Sequence, residues 1–323
     1  MYWERLCIYP SAFDSEDERN FGICFPDNVD TEDLTITTSD NIALKCYFLR
    51  APNYRRHTSI AGQRLSIRTV TSAAARAIII MFHGNGYHAW LHFSSAQRFL
   101  RLGCDVLVVS YRGYGHSLGK PTEKGLRRDA QAALDYVLAD AELSKLRIVL
   151  HGHSLGGAVA IDLVARNPDK ISGLIVENTF LSIPLVAKEI PGIRHLTFII
   201  NQRWESYRRI LKIPKDIPIL MLSGKDDEVV PEWHMLKLWD LASIRGEGKD
   251  MKKSEIQSRL ERDGREGSNR GKDMFKTIVG GTHGECRSFY VPLRRFIRLC
   301  TADTWTRSGY WSTVQTFLER LDL

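Results

Sequence analysis

Gly152-His153-Ser154-Leu155-Gly156 lies between the apolar run Arg147-Ile148-Val149-Leu150 and the helical pattern Gly157–Val164. A serine on a tight strand-to-helix turn, with glycine two residues to either side, is held with its hydroxyl exposed above a sheet. The adjoining helix N-terminus favours negative charge there. Such a hydroxyl becomes a nucleophile when a base takes its proton, and both partners follow in chain order. The apolar run Ile217–Leu222 leads into Ser223-Gly224-Lys225-Asp226-Asp227, where two aspartates compete for the acid. Asp227, three residues past the turn glycine and four before Pro231, is preferred to Asp226. The strand-like Ile278-Val279 enters the small-residue turn Gly280-Gly281-Thr282-His283-Gly284, and of the ten histidines His283 alone follows a late strand at a glycine turn. Ser154, Asp227 and His283 can then act as nucleophile, orienting acid and general base on a carbonyl substrate. Upstream, the apolar run Ala77–Phe82 ends in His83-Gly84-Asn85-Gly86. Backbone N–H groups of Asn85 and Leu155 are expected to form the oxyanion hole, with Gly86 as the fallback to Asn85. His83 is expected to order its loop rather than to do chemistry.

Those residues need strands that end beside one another. Leu34–Thr38 and Ile42–Leu49 predict an N-terminal hairpin, followed by a polar linker through Ala75. Short apolar strands are then expected at Ala77–Phe82, Val106–Ser110, Arg147–His151, Gly173–Val176, Ile217–Leu222 and Phe275–Val279. Helical patterns separate them; the clearest, Thr122–Ala139, carries Leu126, Ala130, Ala133, Leu134 and Val137 on one face. The pattern predicts an α/β fold, a mostly parallel twisted sheet with helices on both faces. All four candidate site segments end such strands, where ligands of open α/β sheets bind.

Longer strings give the chain a family likeness. They are His83–Gly86, Tyr111-Arg112-Gly113-Tyr114-Gly115-His116-Ser117, Pro121–Leu126, Ser154–Ala160 and, most distinctive, Val176-Glu177-Asn178-Thr179-Phe180-Leu181-Ser182-Ile183-Pro184. In these the chain resembles the α/β-hydrolase-domain serine hydrolases of the fungal bud-emergence-suppressor type and their animal relatives. The likeness runs roughly over residues 1–50, 76–244 and 274–323. It implies the α/β-hydrolase fold with a small apolar cap, and Ser154, Asp227 and His283 as the triad. It also implies membrane association, at the endoplasmic reticulum first. Members act on lysophospholipids, monoacylglycerols or S-acylated proteins, so the family alone does not fix a substrate.

The chain departs from its relatives in three places. They usually carry a membrane-spanning helix ahead of the segment matching Leu6–Pro10; here the chain begins Met1-Tyr2-Trp3, without a signal-peptide pattern or the ~20 apolar residues of a span. A soluble or peripheral protein is expected, with the cytoplasm as the alternative location, unless the reading frame starts too late. In relatives the Asp303-Thr304-Trp305 ending follows the histidine almost at once; here residues 284–302 intervene. They fit either an intron read through in frame or a lineage-specific loop, and would overhang and loosen the base. Residues 245–273 are rich in glycine and mixed charge, which predicts a disordered insertion with room for a short helix within 252–262.

One domain over residues 1–323 accommodates all of this, with residues 183–215 as an apolar cap able to hold an acyl chain. The net charge of +7 is scattered, supporting weak attraction to anionic surfaces and possible peripheral membrane contact but no nucleic-acid partner. Six cysteines without C-x-x-C pairs read as free thiols, and no ligand spacing calls for a metal or another cofactor. The expected activity is hydrolysis of esters or thioesters, with a lipid or small-molecule acyl substrate. A catalytically silent scaffold in polarity or membrane traffic and a serine peptidase on the same triad are the competing readings.

Overall fold

A computed structural model describes residues 8–9, 12, 29–52, 75–85, 88–189, 195, 197–246, 253–261, 269–283 and 303–322. The strands β1 (Thr31–Thr37), β2 (Ala43–Leu49), β3 (Ala77–Phe82), β4 (Cys104–Val109), β5 (Arg147–His153), β6 (Gly173–Glu177), β7 (Ile219–Gly224) and β8 (Met274–Ile278) form one sheet. Its order is β1-β2-β4-β3-β5-β6-β7-β8. The hairpin β1–β2 runs antiparallel to its neighbours and every later pair is parallel. This is the α/β-hydrolase architecture expected from the sequence.

The continuous apolar strands reflect burial on both faces. Along β3, Ile78, Ile80 and Phe82 enter one core cluster, while Ala77, Ile79 and Met81 enter the other. The first cluster is covered by α2 (Glu123–Ala139), α3 (Leu155–Arg166) and α6 (Trp233–Ala242), the second by α1 (Phe93–Arg101) and α8 (Tyr310–Arg320). Each buried aliphatic side chain contributes roughly 1.5–3 kcal/mol, so the two layers fix the sheet firmly. Helix α2 begins where expected, because the Thr122 hydroxyl accepts the Gly125 N–H at 2.9 Å.

Strand ends differ from the sequence expectation for identifiable reasons. Strand β5 continues through Gly152 and His153, which pair with Val176 and Glu177 of β6. Strand β4 starts at Cys104 because its parallel partner begins at Ala77. Strand β7 starts only at Ile219, since Pro218 has no N–H for the ladder. Val279 leaves β8 and is 77% exposed.

The expectation of a disordered stretch over 245–273 is corrected at both ends, the short helix allowed for within 252–262 is present, and residues 247–252 and 262–268 lie outside the described residues. Lys253–Glu261 forms α7, with Ile256 buried. At the ends, the buried Arg245 guanidinium donates to Asp273 at 2.7 and 2.9 Å, to the Ala242 carbonyl at 2.8 Å and to the Ile217 carbonyl at 3.0 Å. Asp273 in turn accepts the Ile219 N–H, so this pair fastens the start of β7. Polar composition conceals such an anchor because its contacts are long-range. Residues 284–302 lie outside the described residues, as do Cys7, Cys24, Cys286 and Cys300; Cys46 and Cys104 are free and buried, and burial pushes both thiols up to about 12. Among the described residues no helix is long and apolar enough to cross a membrane.

Within 183–215, α4 (Ile183–Glu189) is followed by a turn at Thr197–Ile199, α5 (Ser206–Arg209) and a turn at Ile210–Lys212. Its second half belongs to the core, with Trp204, Ile210 and Ile213 buried, whereas Phe198 is 78% and Ile199 56% exposed.

Replacing Arg245 with Leu leaves Asp273 and the carbonyls of Ala242, Ile217 and Lys215 without their partner, so a stability loss of about 3 kcal/mol is expected. Urea unfolding of the two proteins measures it; a loss below roughly 1 kcal/mol, the range of an exposed ion pair, would contradict the anchoring role.

Candidate active site

Ser154 stands between β5 and α3 with φ 51° and ψ −117°. Such a backbone costs on the order of 1–3 kcal/mol and persists only where neighbours impose it. A Cβ on Gly152 would lie 2.2 Å from the Gly156 carbonyl oxygen, and one on Gly156 would lie 2.0 Å from that of Phe82. Strand and helix can therefore meet only with glycine at both places. The Ser154 N–H donates to the Glu177 carbonyl at 2.9 Å, and the Thr179 hydroxyl donates to the Ser154 carbonyl at 2.8 Å. The nucleophile candidate is thus held from the end of β6 as well as from its own turn.

His283 is brought to Ser154 from β8. The Ser154 hydroxyl donates to His283 Nε2 at 2.9 Å, and His283 Nδ1–H donates to Asp227 Oδ2 at 2.8 Å. The other Asp227 oxygen accepts the N–H groups of Val229 and Val230 at 2.9 and 2.7 Å, which fixes the carboxylate after β7. The neighbouring Asp226 is exposed, and its backbone N–H donates to the Gly281 carbonyl. Of the two competing aspartates, Asp227 is the one beside the imidazole. Residues 284–302, expected to loosen the base, lie outside the described residues; His283 itself engages both partners and is buried. His153 contributes to this, its Nε2–H donating to the His283 carbonyl at 2.9 Å.

Three imidazoles near this contact chain, those of His83, His151 and His153, are neutral. Burial lowers His83, His151 and His153 to about 3, so no standing cation competes with the charge that proton transfer places on His283. A hydroxyl–imidazole–carboxylate chain in such surroundings can deprotonate the serine as it attacks a carbonyl.

Leu155 is the first residue of α3, so its N–H has no acceptor within the helix. Asn85 follows β3 at the same end of the sheet, half-buried, while its fallback Gly86 lies outside the described residues. The loop is ordered as expected of His83, whose Nδ1–H donates to the Gly84 carbonyl at 2.7 Å. Two tyrosines not singled out for this in the sequence also hold it. Tyr111 OH donates to the His83 carbonyl at 3.1 Å, and Tyr114 OH to Asn85 Oδ1 at 2.6 Å. Their signal was the string Tyr111–Ser117 itself. Arg112 within it is bound by the buried Asp129 at 2.8 Å and by Asp40 at 2.8 Å.

A buried acid below the site was also missed. Glu177 accepts from Tyr310 OH at 2.7 Å, and burial pushes its carboxyl up to about 8. A separate cavity of about 360 Å³ is lined by Glu123, Arg127, Asn201, Arg203, Glu205, Arg208, Arg209 and Lys212, and by none of Ser154, Asp227 or His283. Most of its cations are already met by Glu123, Glu205 and the buried Asp162.

A family model described as serine aminopeptidase, S33, matches residues 73–212. The chain is 35% identical over 242 residues to Protein bem46 of Schizosaccharomyces pombe, covering 74% of this chain and 75% of that one. It is 34% identical to the α/β-hydrolase domain-containing protein WAV2 of Arabidopsis thaliana, covering 68% of each. Among solved structures it is similar to the Pyrococcus furiosus esterase Pf2001, with a TM-score of 0.60, 14% identity and 92% of each chain covered. That last likeness is one of fold.

The raised Glu177 carboxyl gives stability a defined pH dependence. In the fold it keeps its proton up to about pH 8, whereas unfolded it ionises near its ordinary value of 4.5. Between those values the unfolded chain binds fewer protons, so stability falls as pH rises, by at most roughly 1.4 kcal/mol per pH unit. Glu177→Gln is expected to flatten this part of the curve, read from urea midpoints between pH 5 and 8. Equal slopes in the two proteins would show that Glu177 ionises normally in the fold.

Proposed function

The chain belongs to the family of α/β-hydrolase-domain proteins that includes Bem46 and WAV2, and from that premise we propose that it is a serine hydrolase acting on carboxylic esters or thioesters. One observation carries the reading: the unbroken contact chain from Ser154 through His283 to Asp227, at 2.9 and 2.8 Å. In the proposed reaction Ser154 Oγ adds to the acyl carbonyl while His283 Nε2 takes its proton. The oxyanion is received by the N–H groups of Leu155 and Asn85. His283 returns the proton to the leaving alcohol or thiol, an acyl-enzyme remains on Ser154, and water activated by the same imidazole releases the acid. Asp227 keeps the imidazole in the tautomer with its proton on Nδ1 and stabilises the imidazolium.

The acyl group is proposed to be lipid-like, as in a lysophospholipid, a monoacylglycerol or an S-palmitoylated protein. Half-buried Ile183, Leu185 and Val186 and the exposed Phe198 and Ile199 supply apolar surface on the segment after β6. The same exposed pair is a candidate for peripheral membrane contact. A serine peptidase is the second reading, favoured by the description of the matching family model. The assembled contact chain argues against a silent scaffold.

Ser154→Ala is expected to lower turnover of p-nitrophenyl esters by roughly 1,000-fold or more without loss of folding. Asp227→Asn should cost on the order of 100-fold or more, and Asp226→Asn only a few-fold. Steady-state rates on short and long acyl esters, with aminoacyl p-nitroanilides alongside, test this. Retained turnover in folded Ser154→Ala, or the reverse order of the aspartates, would overturn the assignment. Faster cleavage of the anilides would favour the peptidase.

A further inference from the structure

We propose that Asn178 is the positioning residue of this site, its side-chain amide setting where the acid and base loops stand relative to Ser154. The inference rests on the hydrolase reading and deepens it. Asn178 follows β6, between the two residues that hold Ser154, Glu177 through its carbonyl and Thr179 through its hydroxyl. Its own contacts reach the other two loops. Oδ1 accepts the N–H of Gly224, the last residue of β7 and three before Asp227, at 2.7 Å. Nδ2 donates to the carbonyl of Thr282, the residue before His283, at 2.9 Å, and to Thr304 Oγ1 at 3.0 Å. Thr304 passes the contact on, its hydroxyl donating to the same Thr282 carbonyl at 2.7 Å. One buried side chain thereby fastens the acid loop, the base loop and the point where the chain returns after residue 302.

The residue type follows from the geometry. The position needs one acceptor and two donors at short reach, which an amide supplies and a carboxylate or an aliphatic group does not. It also needs φ 45°, a left-handed backbone that asparagine tolerates better than most residues. Space confirms how closely the loops meet: a Cβ on Gly224 would lie 2.5 Å from Thr304 Oγ1 and 2.7 Å from the Gly281 carbonyl oxygen. Loops so close are set in register by the group between them. The distance between Asp227 and His283 depends on that register, and a displacement of about 1 Å is enough to cost about 100-fold in rate.

Asn178→Gly keeps the left-handed backbone open and removes the amide. The expected result is a kcat on p-nitrophenyl esters lowered about 100-fold with KM changed by no more than about three-fold. Fluorophosphonate labelling should slow in parallel. The acid limb of kcat/KM against pH should move to lower pH, because a loosened Asp227 stabilises the His283 imidazolium less. Among the described residues the other titratable groups around His283 are His153 from β5, Glu177 at the end of β6, Tyr310 of α8 and Asp303 beside Thr282, and Asn178→Gly alters none of them. Thr304→Val, which removes one of the two donors to Thr282, should give a smaller loss and a shift in the same direction. It decides the matter alone if Asn178→Gly does not fold. A wild-type protein that fluorophosphonate leaves unlabelled overturns the hydrolase reading and this inference with it. Labelled wild type with unmoved pH limbs in the variants, whatever their melting temperature, overturns the positioning role alone and reduces Asn178 to packing.

Discussion

Strand β5 and helix α3 approach so closely at Ser154 that the backbone there has no ordinary conformation to adopt. The Phe82 carbonyl oxygen fills the space of a Cβ on Gly156, and the Gly156 carbonyl fills that of one on Gly152. The turn is forced to φ 51°, and hydrogen bonds from Glu177 and Thr179 hold it there. Everything else in the site is arranged around this fixed point. Both faces of β3 are packed, and the sheet therefore cannot yield to relieve the contact.

The ends of the parallel strands supply the rest in a division of labour. Strand β5 gives the hydroxyl, β7 the carboxylate, β8 the imidazole and β3 the loop proposed to receive the oxyanion. Strand β6 contributes no reacting group, yet Glu177, Asn178 and Thr179 touch each of the segments that carry Ser154, Asp227 and His283. Burial keeps His83, His151 and His153 neutral and Glu177 protonated near neutral pH, so none of these four neighbours adds a fixed charge beside Asp227. A proton moving from Ser154 to His283 thus creates its charge in buried surroundings, where the Asp227 carboxylate is worth most.

What the sequence disclosed was local. Ala77–Phe82 is an uninterrupted apolar run because β3 is central and buried on both faces, and it appears as a strand over those same residues. Thr122 announced α2 because a cap acts within three residues. The order Ser154, Asp227, His283 was legible because each follows its own strand and turn. Contacts between distant segments were not. Nothing near Tyr114 points to Asn85, and nothing near Asn178 points to Gly224 or Thr282, since the partners are 29, 46 and 104 positions apart. The string Val176–Pro184 stood out only as a family mark, and its hydrogen bonds now give it a physical reason. Arg245 was misjudged in the same way, its local composition resembling a solvated loop while its guanidinium is spent on Asp273 and three carbonyls.

The central claim is that this fixed point is a working nucleophile, and a covalent intermediate tests it most directly. A slowly hydrolysed p-nitrophenyl ester, quenched in acid during turnover and followed by peptide mass spectrometry, should leave one acyl group per protein on the peptide holding Ser154. Its appearance should match a burst of p-nitrophenol of the same amplitude. Turnover of the ester with the acyl group on another residue, or with no adduct and no burst under conditions that trap other serine hydrolases, would contradict the account.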